Sequence, residues 1–390
     1  MIRAGADARP ITPSLVRPVF LAGFQGDRRA TGAHLDLNVR TLALQEDDGP
    51  PFVLAVCDVI GVLRPDTLRI RAGVADLEAD VVVAATHTHS GPDTIGLWGP
   101  DPQTSGVDDG YLSEMCSAVE ASIRAAVAAL EPAQIRPATT TLQGVIRNLR
   151  DPEILDEEVA ALAIDRPDAS TIATLVNVPV HPEVLDGSST LISPDMAGAA
   201  ARAMEVARGG VGIWASAGLG GMQSPVEGPI EPEEAERKGA LCAAAALSAL
   251  VAAPVVDDAR VRYRSAEVTL PLDNPRFSAA MASGLIPDAR SSEGSLVTEA
   301  GILDLGAARM VMWPGEVLPE LGVESKRRLD TAYPFLIGLA NDEIGYILPP
   351  DRWVDPGDWD DPGPQYEETM SVGPETGPRI LAALDALLAD

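Results

Sequence analysis

Short apolar runs alternate along the chain with longer segments in which apolar residues recur every three or four positions. The short runs are typical of buried β-strands, and the longer segments are typical of amphipathic helices. The clearest strand covers residues 81–86 and the clearest helix covers residues 109–130. Further strands are predicted at 40–44, 52–56, 135–142, 159–164, 171–180, 211–215, 261–270, 307–313 and 334–339, and further helices at 67–77, 194–208, 231–251 and 378–388.

This alternation over the whole length predicts an α/β fold, with a mixed sheet flanked by helices. No internal repeat and no low-complexity linker divides the chain, so residues 1–390 are predicted to form a single domain. The stretch 349–364 is rich in Pro, Gly and Asp and is predicted to be a surface or active-site loop. Because α/β folds place their chemistry in loops at strand ends, we expect the active site there.

The charge balance limits the classes of partner that the chain can bind. With 29 Lys+Arg against 58 Asp+Glu, the net charge is −29, and a nucleic-acid partner is excluded because phosphate binding needs clustered cations. Cys57, Cys116 and Cys242 lie far apart in apolar surroundings and are predicted to be buried free thiols. The N-terminus lacks a signal-peptide core, and no apolar run is long enough to span a bilayer. The sequence therefore predicts a cytoplasmic protein without a stable membrane anchor.

The four histidines are His34, His87, His89 and His181. Two form an HxH pair directly after the strand at 81–86, and a third follows the strand at 171–180. An HxH pair turns both rings to one side, which suits Zn²⁺, but the same pair also occurs as a purely structural feature. With so few histidines, a metal site uses at most three imidazoles and needs carboxylate or phenolate oxygens. This count excludes the metal sites of amidohydrolase barrels and metallo-β-lactamase-like folds.

The segment THTHSGPD at residues 86–93 resembles the signature of neutral, or alkaline, non-lysosomal ceramidases, which are zinc-dependent amide hydrolases. Further similar segments follow the same order as in that family along nearly the whole chain, and this shared order makes the resemblance specific. They are AGAD at 4–7, ITP at 11–13, AGF at 22–24, RTL at 40–42, CD at 57–58, NVPVHP at 177–182, ISPD at 192–195, GMQSP at 221–225, WPGE at 313–316 and NDEIGYI at 341–347.

The resemblance implies one Zn²⁺ per chain, held by two histidines, the glutamate of the PGE motif and a tyrosine. The matching positions in this chain are His87, His181, Glu316 and Tyr346. The first tyrosine of the family's N-x-Y-x-x-Y pattern is Glu343 here, so Tyr346 is the only phenol left for the metal. Two imidazoles, a carboxylate and a phenolate suit Zn²⁺.

The resemblance also implies hydrolysis of an amide (N-acyl) bond by attack of zinc hydroxide on the carbonyl. His89 either bonds the oxyanion or shuttles a proton, or it only steadies the loop of His87. Tyr366 resembles a family tyrosine that stabilises the oxyanion. Ser224 either contacts the substrate or belongs to the turn before Pro225, since no histidine remains to act as its base.

Two departures from the family pattern bear on the mechanism. Met222 stands where the family carries Asp or Asn, and a methionine cannot take a proton. The remaining candidates for the general base are Glu183, Asp195 and Glu316. The family's substrate-contacting Asn-Arg pair falls in RNLR at 147–150, where Leu149 replaces the arginine. Arg147 or Arg150 either substitutes for it or forms an ordinary surface ion pair.

The substrate is less defined than the chemistry. Family ceramidases carry a further C-terminal β-sandwich and usually a secretory leader, and we expect neither here. The acidic charge and an aromatic content of 4% favour a small soluble amide, lactam or ester over ceramide, which enters from a membrane surface. Two alternatives stay open: an esterase or lactonase with the same zinc site, and a non-catalytic metal-binding protein that lost its base at Met222.

Overall fold

Three mixed β-sheets lie at the centre of the fold, in a computed structural model that describes residues 1–287, 291–292, 294–361 and 363–389. In spatial order, the strands of the first sheet are Asp80–Ala85, Phe52–Cys57, Asn38–Glu46, Ile2–Pro10 and Glu131–Pro132. Those of the second sheet are Val211–Ser216, Thr171–Val178, Glu158–Asp165 and Gln134–Thr141. Those of the third sheet are Arg262–Pro271, Ser295–Asp304, Ala308–Met312 and Tyr333–Ile337, and Ser291–Ser292 also pairs with Ser295–Asp304. Each sheet combines one parallel strand pair with antiparallel pairs. The predicted α/β fold with flanking helices is confirmed, with three mixed sheets where the sequence predicted a mixed sheet.

Three shorter strand pairs complete the sheet structure of the described residues. They join Gly32–Ala33 to Leu191–Ile192, Ile146–Asn148 to Gln223–Pro225, and Glu316–Val317 to Tyr346–Ile347. The last two pairs lie at the ends of longer strands, where they fix the loops that carry the predicted site residues.

Helices cover the outer faces of the sheets. Helix Asp109–Ala128 packs on the first sheet, Asp195–Arg208 and Pro232–Leu250 pack on the second, and Thr376–Ala389 packs on the third. The other helices are Arg64–Gly73, Pro275–Ser283, Pro319–Arg328 and Tyr366–Thr369, with 3-10 turns at Ala75–Leu77, Pro350–Arg352 and Gly363–Gln365. Within the described ranges, none of these helices is long and apolar enough to cross a bilayer.

The inner faces of the three sheets share one apolar core. Leu54 of the first sheet, Leu175 of the second and Phe335 of the third belong to the same cluster of buried side chains. Burying a side chain of this size contributes roughly 1.5–3 kcal/mol, so the shared core holds the sheets in one arrangement. Cys57, Cys116 and Cys242 are buried and free, as predicted.

Two buried asparagines join the sheets where their strands end. The Asn177 side-chain amide donates to the carbonyl oxygens of Ala215 and Leu336 at 2.9 and 2.8 Å, and its oxygen accepts from the Leu336 N–H at 3.1 Å. The Asn341 side-chain oxygen accepts from Val83 N–H at 3.1 Å, and its backbone N–H donates to Val83 O at 2.7 Å. Both residues lie in segments that the sequence singled out, but this linking role was not predicted.

The predicted elements need several corrections. The helix expected at 67–77 is Arg64–Gly73, because Pro65 suits a first helical turn, and residues 75–77 form a separate 3-10 turn. The strand expected at 171–180 ends at Val178. The predictions contained no element at Ile2–Pro10, Pro275–Ser283, Ser295–Asp304 or Pro319–Arg328, all of which are regular.

Candidate metal centre and active site

The predicted metal ligands come together from the ends of strands in all three sheets. His87 follows Asp80–Ala85 of the first sheet, and His181 follows Thr171–Val178 of the second. Glu316 follows the third-sheet strand Ala308–Met312 and lies opposite Tyr346 in a short parallel pair. The expectation of an active site at strand-end loops therefore agrees with where these side chains meet.

Two histidines face one oxygen of Glu316. The Nε2 atoms of His181 and His87 lie 3.0 and 3.3 Å from Glu316 Oε2. The opposite ring nitrogens, Nδ1, lie 3.0 Å from Gln223 O and 2.6 Å from Ile60 O, respectively. All three side chains are buried. The rings are thus fixed from behind by backbone carbonyls, an arrangement common around metal-binding histidines.

This geometry suits a bound cation. A carbonyl oxygen only accepts, so each Nδ1 carries a hydrogen, and the Nε2 of a neutral ring then presents a lone pair. Two such lone pairs would face the same carboxylate oxygen, which is unfavourable unless a proton or a metal ion lies between them. Burial opposes charging His181, but the Glu316 carboxylate raises the pKa of this imidazole, and despite burial the two rings lower the pKa of Glu316. His87, His181 and Glu316 therefore fit a divalent metal.

His89 completes a cluster of three imidazoles. The ligand atoms of His87, His89 and His181 lie within 4.8 Å of one another. Neither ring nitrogen of His89 has a hydrogen-bond partner, although Nδ1 lies 3.3 Å from Glu183 Oε2. Burial, together with the neighbouring imidazoles, lowers the pKa of His89 well below its usual value. Its surroundings therefore favour the neutral form of His89 beside the candidate metal position.

Tyr346 lies in the same cavity, but its hydroxyl faces Met222. The phenol donates to Met222 Sδ at 3.1 Å, and burial raises the pKa of Tyr346 well above its usual value. The ring of Tyr366 lies 6.1 Å from that of Tyr346, at the half-exposed rim of the cavity. Although this residue is 48% exposed, partial burial raises the pKa of Tyr366 to about 12. The structure thus brings both predicted tyrosines to the site, and the role of Tyr346 as a ligand stays a prediction.

Glu183 connects Ser224 to His89. The Ser224 hydroxyl donates to Glu183 Oε1, and the other carboxylate oxygen faces His89 Nδ1. The serine is therefore bonded to an acid and not to an imidazole, so the contact gives no support to Ser224 as a nucleophile. Of the three candidate bases, Glu316 faces the two predicted metal ligands, and Glu183 is the one that faces His89.

The other residues considered at the site have different partners. Asp195 accepts from the backbone N–H groups of Val184, Leu185 and Met196 at 2.7–3.1 Å, so it holds the loop after His181. Arg147 pairs with Glu227, and Arg150 pairs with Glu367 and Glu368. Both arginines thus form ion pairs, the commoner of the two fates considered for them.

A cavity opens from the histidine cluster, and most of its wall is apolar. Because the wall residues come from distant segments, the sequence pattern did not reveal it. The lining residues include Phe24, Ile60, Ile95, Leu97, Trp98, Phe277, Ile286 and Met370, with His87, His89, Glu316, Glu343, Tyr346 and Tyr366 as the polar groups. The loop at 349–364 lies partly beside it, since Asp360 lines an adjoining cleft together with Tyr366 and Trp98.

The loop before residue 30 also supports the site, which the sequence did not predict. The Phe24 ring lies edge-on to His89, with centroids 5.0 Å apart. The Arg28 guanidinium donates to the backbone carbonyls of Ala22, His89, Asp186 and Ser189. This arginine therefore ties the loop to the segments that follow His87 and His181. A buried cation that holds four carbonyls leaves no pattern in the sequence.

Comparisons with known proteins agree with this picture. No protein-family model matches the chain. A neutral ceramidase of Mycobacterium tuberculosis is 24% identical over 267 residues, which cover 60% of this chain and 42% of that protein. This chain thus spans less than half the length of that curated relative.

Solved structures of ceramidases share the fold. The crystal structure of neutral ceramidase from Pseudomonas aeruginosa superposes with a TM-score of 0.78 at 19% identity, covering 100% of this chain and 74% of that chain. A ceramidase complexed with C2 gives a TM-score of 0.79 at 18% identity, with the same coverage. The resemblance to neutral ceramidases is confirmed, and this chain has the neutral ceramidase fold.

Proposed function

We propose that this chain is a zinc-dependent hydrolase of an amide (N-acyl) bond, with His87, His181, Glu316 and Tyr346 holding one Zn²⁺. The convergence of two carbonyl-anchored imidazoles on a single Glu316 oxygen, at 3.0 and 3.3 Å, carries this proposal. The likeness to ceramidases supports an amide as the bond that is cleaved. The proposal is thus built on this chain's own donors and on the chemistry of its relatives.

The residues around the metal position have distinct tasks. When bound, the divalent ion lowers the pKa of its water towards about 7 and polarises the substrate carbonyl. The Nε2 atom of His89 is unprotonated and borders the cavity. It takes a proton from the attacking water and gives it to the nitrogen of the leaving amine. Tyr366 stays protonated, since burial raises its pKa to about 12, and it donates a hydrogen bond to the developing oxyanion.

Glu183 and His89 take over the role of the acid that Met222 replaces. A carboxylate at 3.3 Å from His89 Nδ1 favours, by its charge, the tautomer with Nδ1 protonated and stabilises the imidazolium that forms when Nε2 takes a proton. The Ser224 hydroxyl, by donating to the same carboxylate, holds Glu183 in place. We assign Ser224 this positioning role.

The substrate we favour is a small molecule with an amide bond. Esters remain an alternative, because the same centre attacks them more easily than amides. One of the similar structures was solved as a ceramidase complexed with C2, and the apolar wall of the cavity also suits an acyl group. A cytoplasmic location and a single domain over 1–390 stay predictions.

Metal content provides the first test. Wild type, His181→Ala and His34→Ala are purified and analysed for zinc; His34 lies outside the cluster, with Nε2 3.3 Å from Glu236 Oε1. We expect about one zinc per chain in wild type and His34→Ala, and loss of zinc in His181→Ala. Zinc retained in His181→Ala would show that the ligand set is wrong.

Turnover separates the remaining alternatives. A panel of N-acyl amides and matched esters is assayed with zinc, with a chelator, and after zinc is restored. Amide cleavage that the chelator abolishes and zinc restores supports the proposal. Cleavage of esters alone favours the esterase, and absence of any turnover by a zinc-loaded chain favours the non-catalytic binding protein.

A further inference from the structure

Phe24 stands between the cavity of the candidate site and a second cleft on the other side of Glu183. Among the described residues, Phe24 is the one that lines both spaces. Along the rest of the wall between them, Nδ1 of His89 in the cavity lies 3.3 Å from Oε2 of Glu183 in the cleft. Likewise, Tyr346 in the cavity donates to Sδ of Met222 in the cleft at 3.1 Å. The two spaces therefore lie on opposite sides of a thin wall that includes the Phe24 ring.

The Phe24 ring is held in place although the residue is 43% exposed. The His89 ring lies edge-on to it with centroids 5.0 Å apart, and the Arg28 guanidinium lies over it at 5.3 Å from the centroid. The backbone of Phe24 has φ +58, directly after Gly23 with φ +80. An aromatic residue adopts this conformation only where its surroundings impose it, and such residues cluster at functional sites. The ring is therefore a fixed part of the wall.

The cavity itself is small and continues into a larger cleft. Its volume is about 60 Å³, room for roughly four to six water molecules, whereas the adjoining cleft has a volume of about 640 Å³. Leu97, Trp98 and Phe277 are among the residues that line both, so an extended chain can pass from the cavity into this larger cleft. A substrate can thus extend one long substituent outward, but little space remains beside His89 for a second one.

The proton transfer in the proposed function places the amine half of the substrate next to Phe24. In that mechanism, His89 Nε2 gives a proton to the nitrogen of the leaving amine, so this nitrogen lies beside the imidazole. The Phe24 ring contacts the same imidazole and therefore borders the substituent that the nitrogen carries. The acyl chain then follows the mostly apolar wall of the cavity into the larger cleft.

We propose that Phe24 restricts the amine half of the substrate to a small group, while the open side of the cavity accepts a long acyl chain. This inference rests on the proposed function, since it assigns the two halves of the amide by the proton that His89 transfers. A larger amine would have to displace a ring that His89 and Arg28 hold from two sides. The preferred substrates are then primary amides and N-methyl amides of extended acyl groups.

Two isomeric amides test the proposal. N-methylheptanamide carries its long chain on the acyl side, and N-hexylacetamide carries it on the amine side. With the zinc-loaded wild type we expect kcat/KM to be at least about tenfold higher for N-methylheptanamide, because the hexyl group of the other isomer meets the Phe24 ring. Equal values, or a preference for N-hexylacetamide, would overturn the proposal.

Two variants separate the closure of the wall from the support of the loop. Phe24→Ala opens the cavity to the second cleft, and we expect it to bring the two kcat/KM values within about twofold. Phe20→Ala removes another ring of the same loop, which also lies against an arginine, with the Arg29 guanidinium 5.2 Å from its centroid, but lines neither space. This control should keep the wild-type ratio. A wild-type ratio in Phe24→Ala, even at lower activity, would show that Phe24 only supports His89 and would overturn the proposal.

Binding of analogues that cannot be cleaved keeps the test independent of catalysis. N-methylhexane-1-sulfonamide and N-hexylmethanesulfonamide are isomers in which a sulfonyl group replaces the carbonyl, and they are titrated into the same three proteins by calorimetry. We expect wild type and Phe20→Ala to bind the N-methyl isomer about tenfold more tightly, and Phe24→Ala to bind both within about twofold. This result supports the role of Phe24 even if no amide is cleaved, and equal affinities in wild type overturn it even if amides are cleaved. Failure of turnover alone counts only against the proposed function.

Discussion

Replacing Gly23 with alanine tests whether His89 must hold its position. Gly23 has φ +80, and an added Cβ would lie 2.6 Å from His89 Cγ and 2.7 Å from Nδ1. Gly144 offers a matched control, because it has φ +72 but no atom within 4 Å of an added Cβ. The two substitutions thus share the backbone penalty and differ in the contact with the imidazole.

The size of the effect follows from these distances. A non-glycine residue in the left-handed region costs roughly 1–2 kcal/mol, and we expect both variants to lose about this much free energy of unfolding. Carbon atoms in contact settle near 3.5 Å, so in Gly23→Ala the His89 ring has to move by about 1 Å. A displacement of about 1 Å in a catalytic group costs on the order of 10²-fold in rate.

The assay combines urea unfolding with kcat/KM for the amide that wild type cleaves fastest. We expect similar stability for Gly23→Ala and Gly144→Ala, with an approximately 10²-fold loss of kcat/KM in Gly23→Ala only. Wild-type kcat/KM in Gly23→Ala would refute the role of His89. An equal loss in Gly144→Ala would mean that activity follows global stability and not the contact with the ring.

Two further predictions concern stability. Burial raises the pKa of Asp195 from 3.8 to about 6, so the folded state binds the proton of this carboxyl more tightly than the unfolded state does. The resulting stabilisation is complete below pH 3.8 and is lost as the pH rises through about 6. The loss amounts to about 3 kcal/mol in all. In Asp195→Asn this pH dependence is absent. The difference in free energy of unfolding between wild type and the variant, measured by urea titration, should therefore fall as the pH rises from 4 to 7. A difference that stays constant over this range contradicts the pKa shift. Leu175→Ala, in the shared core, should lower the free energy of unfolding by about 2–5 kcal/mol, and a loss below about 1 kcal/mol would show that the sheets do not depend on this core.

The elements that the sequence predicted are those with a strong apolar pattern. Strand Asp80–Ala85 and helix Asp109–Ala128 lie within one or two residues of their predicted bounds. Strand Ile2–Pro10 was missed because IRAGADARP contains Gly, Asp and Pro, which disfavour strands, and its pairing with Asn38–Glu46 overrides that preference.

One missed helix does carry a local signal. In helix Pro275–Ser283, the Asn274 side chain accepts from the N–H groups of Arg276 and Phe277, Pro275 occupies the first turn, and Gly284 follows with φ +78. Asn-Pro is a usual start signal of a helix, and Gly is a usual stop signal. A search for caps, and not only for apolar periodicity, would have found it.

For the candidate site, too, the sequence predicted some features and missed others. The histidines, Glu316 and Glu183 were identified because they lie in motifs, and motifs preserve order along the chain. The sequence did not reveal how these side chains are oriented. Examples are the contact of His87 Nδ1 with Ile60 O and the hydrogen bond that Tyr346 donates to Met222 Sδ. Such contacts depend on how three separate sheets are placed, which only the folded core determines.

The scaffold holds the donors of the candidate site in place, although their arrangement is unfavourable without a proton or a metal ion between them. Several residues at or beside it have positive φ although they are not glycine; these are Phe24, His87, Asp195, Met222 and Asn341. Each such backbone costs on the order of 1–3 kcal/mol and persists only where the surroundings impose it. Asn177 and Asn341 join the strand ends of separate sheets beside these residues and so help to hold the surroundings in place. Because the folded chain already holds the donors in place, a bound metal ion would not have to assemble them, and its binding energy would remain as affinity.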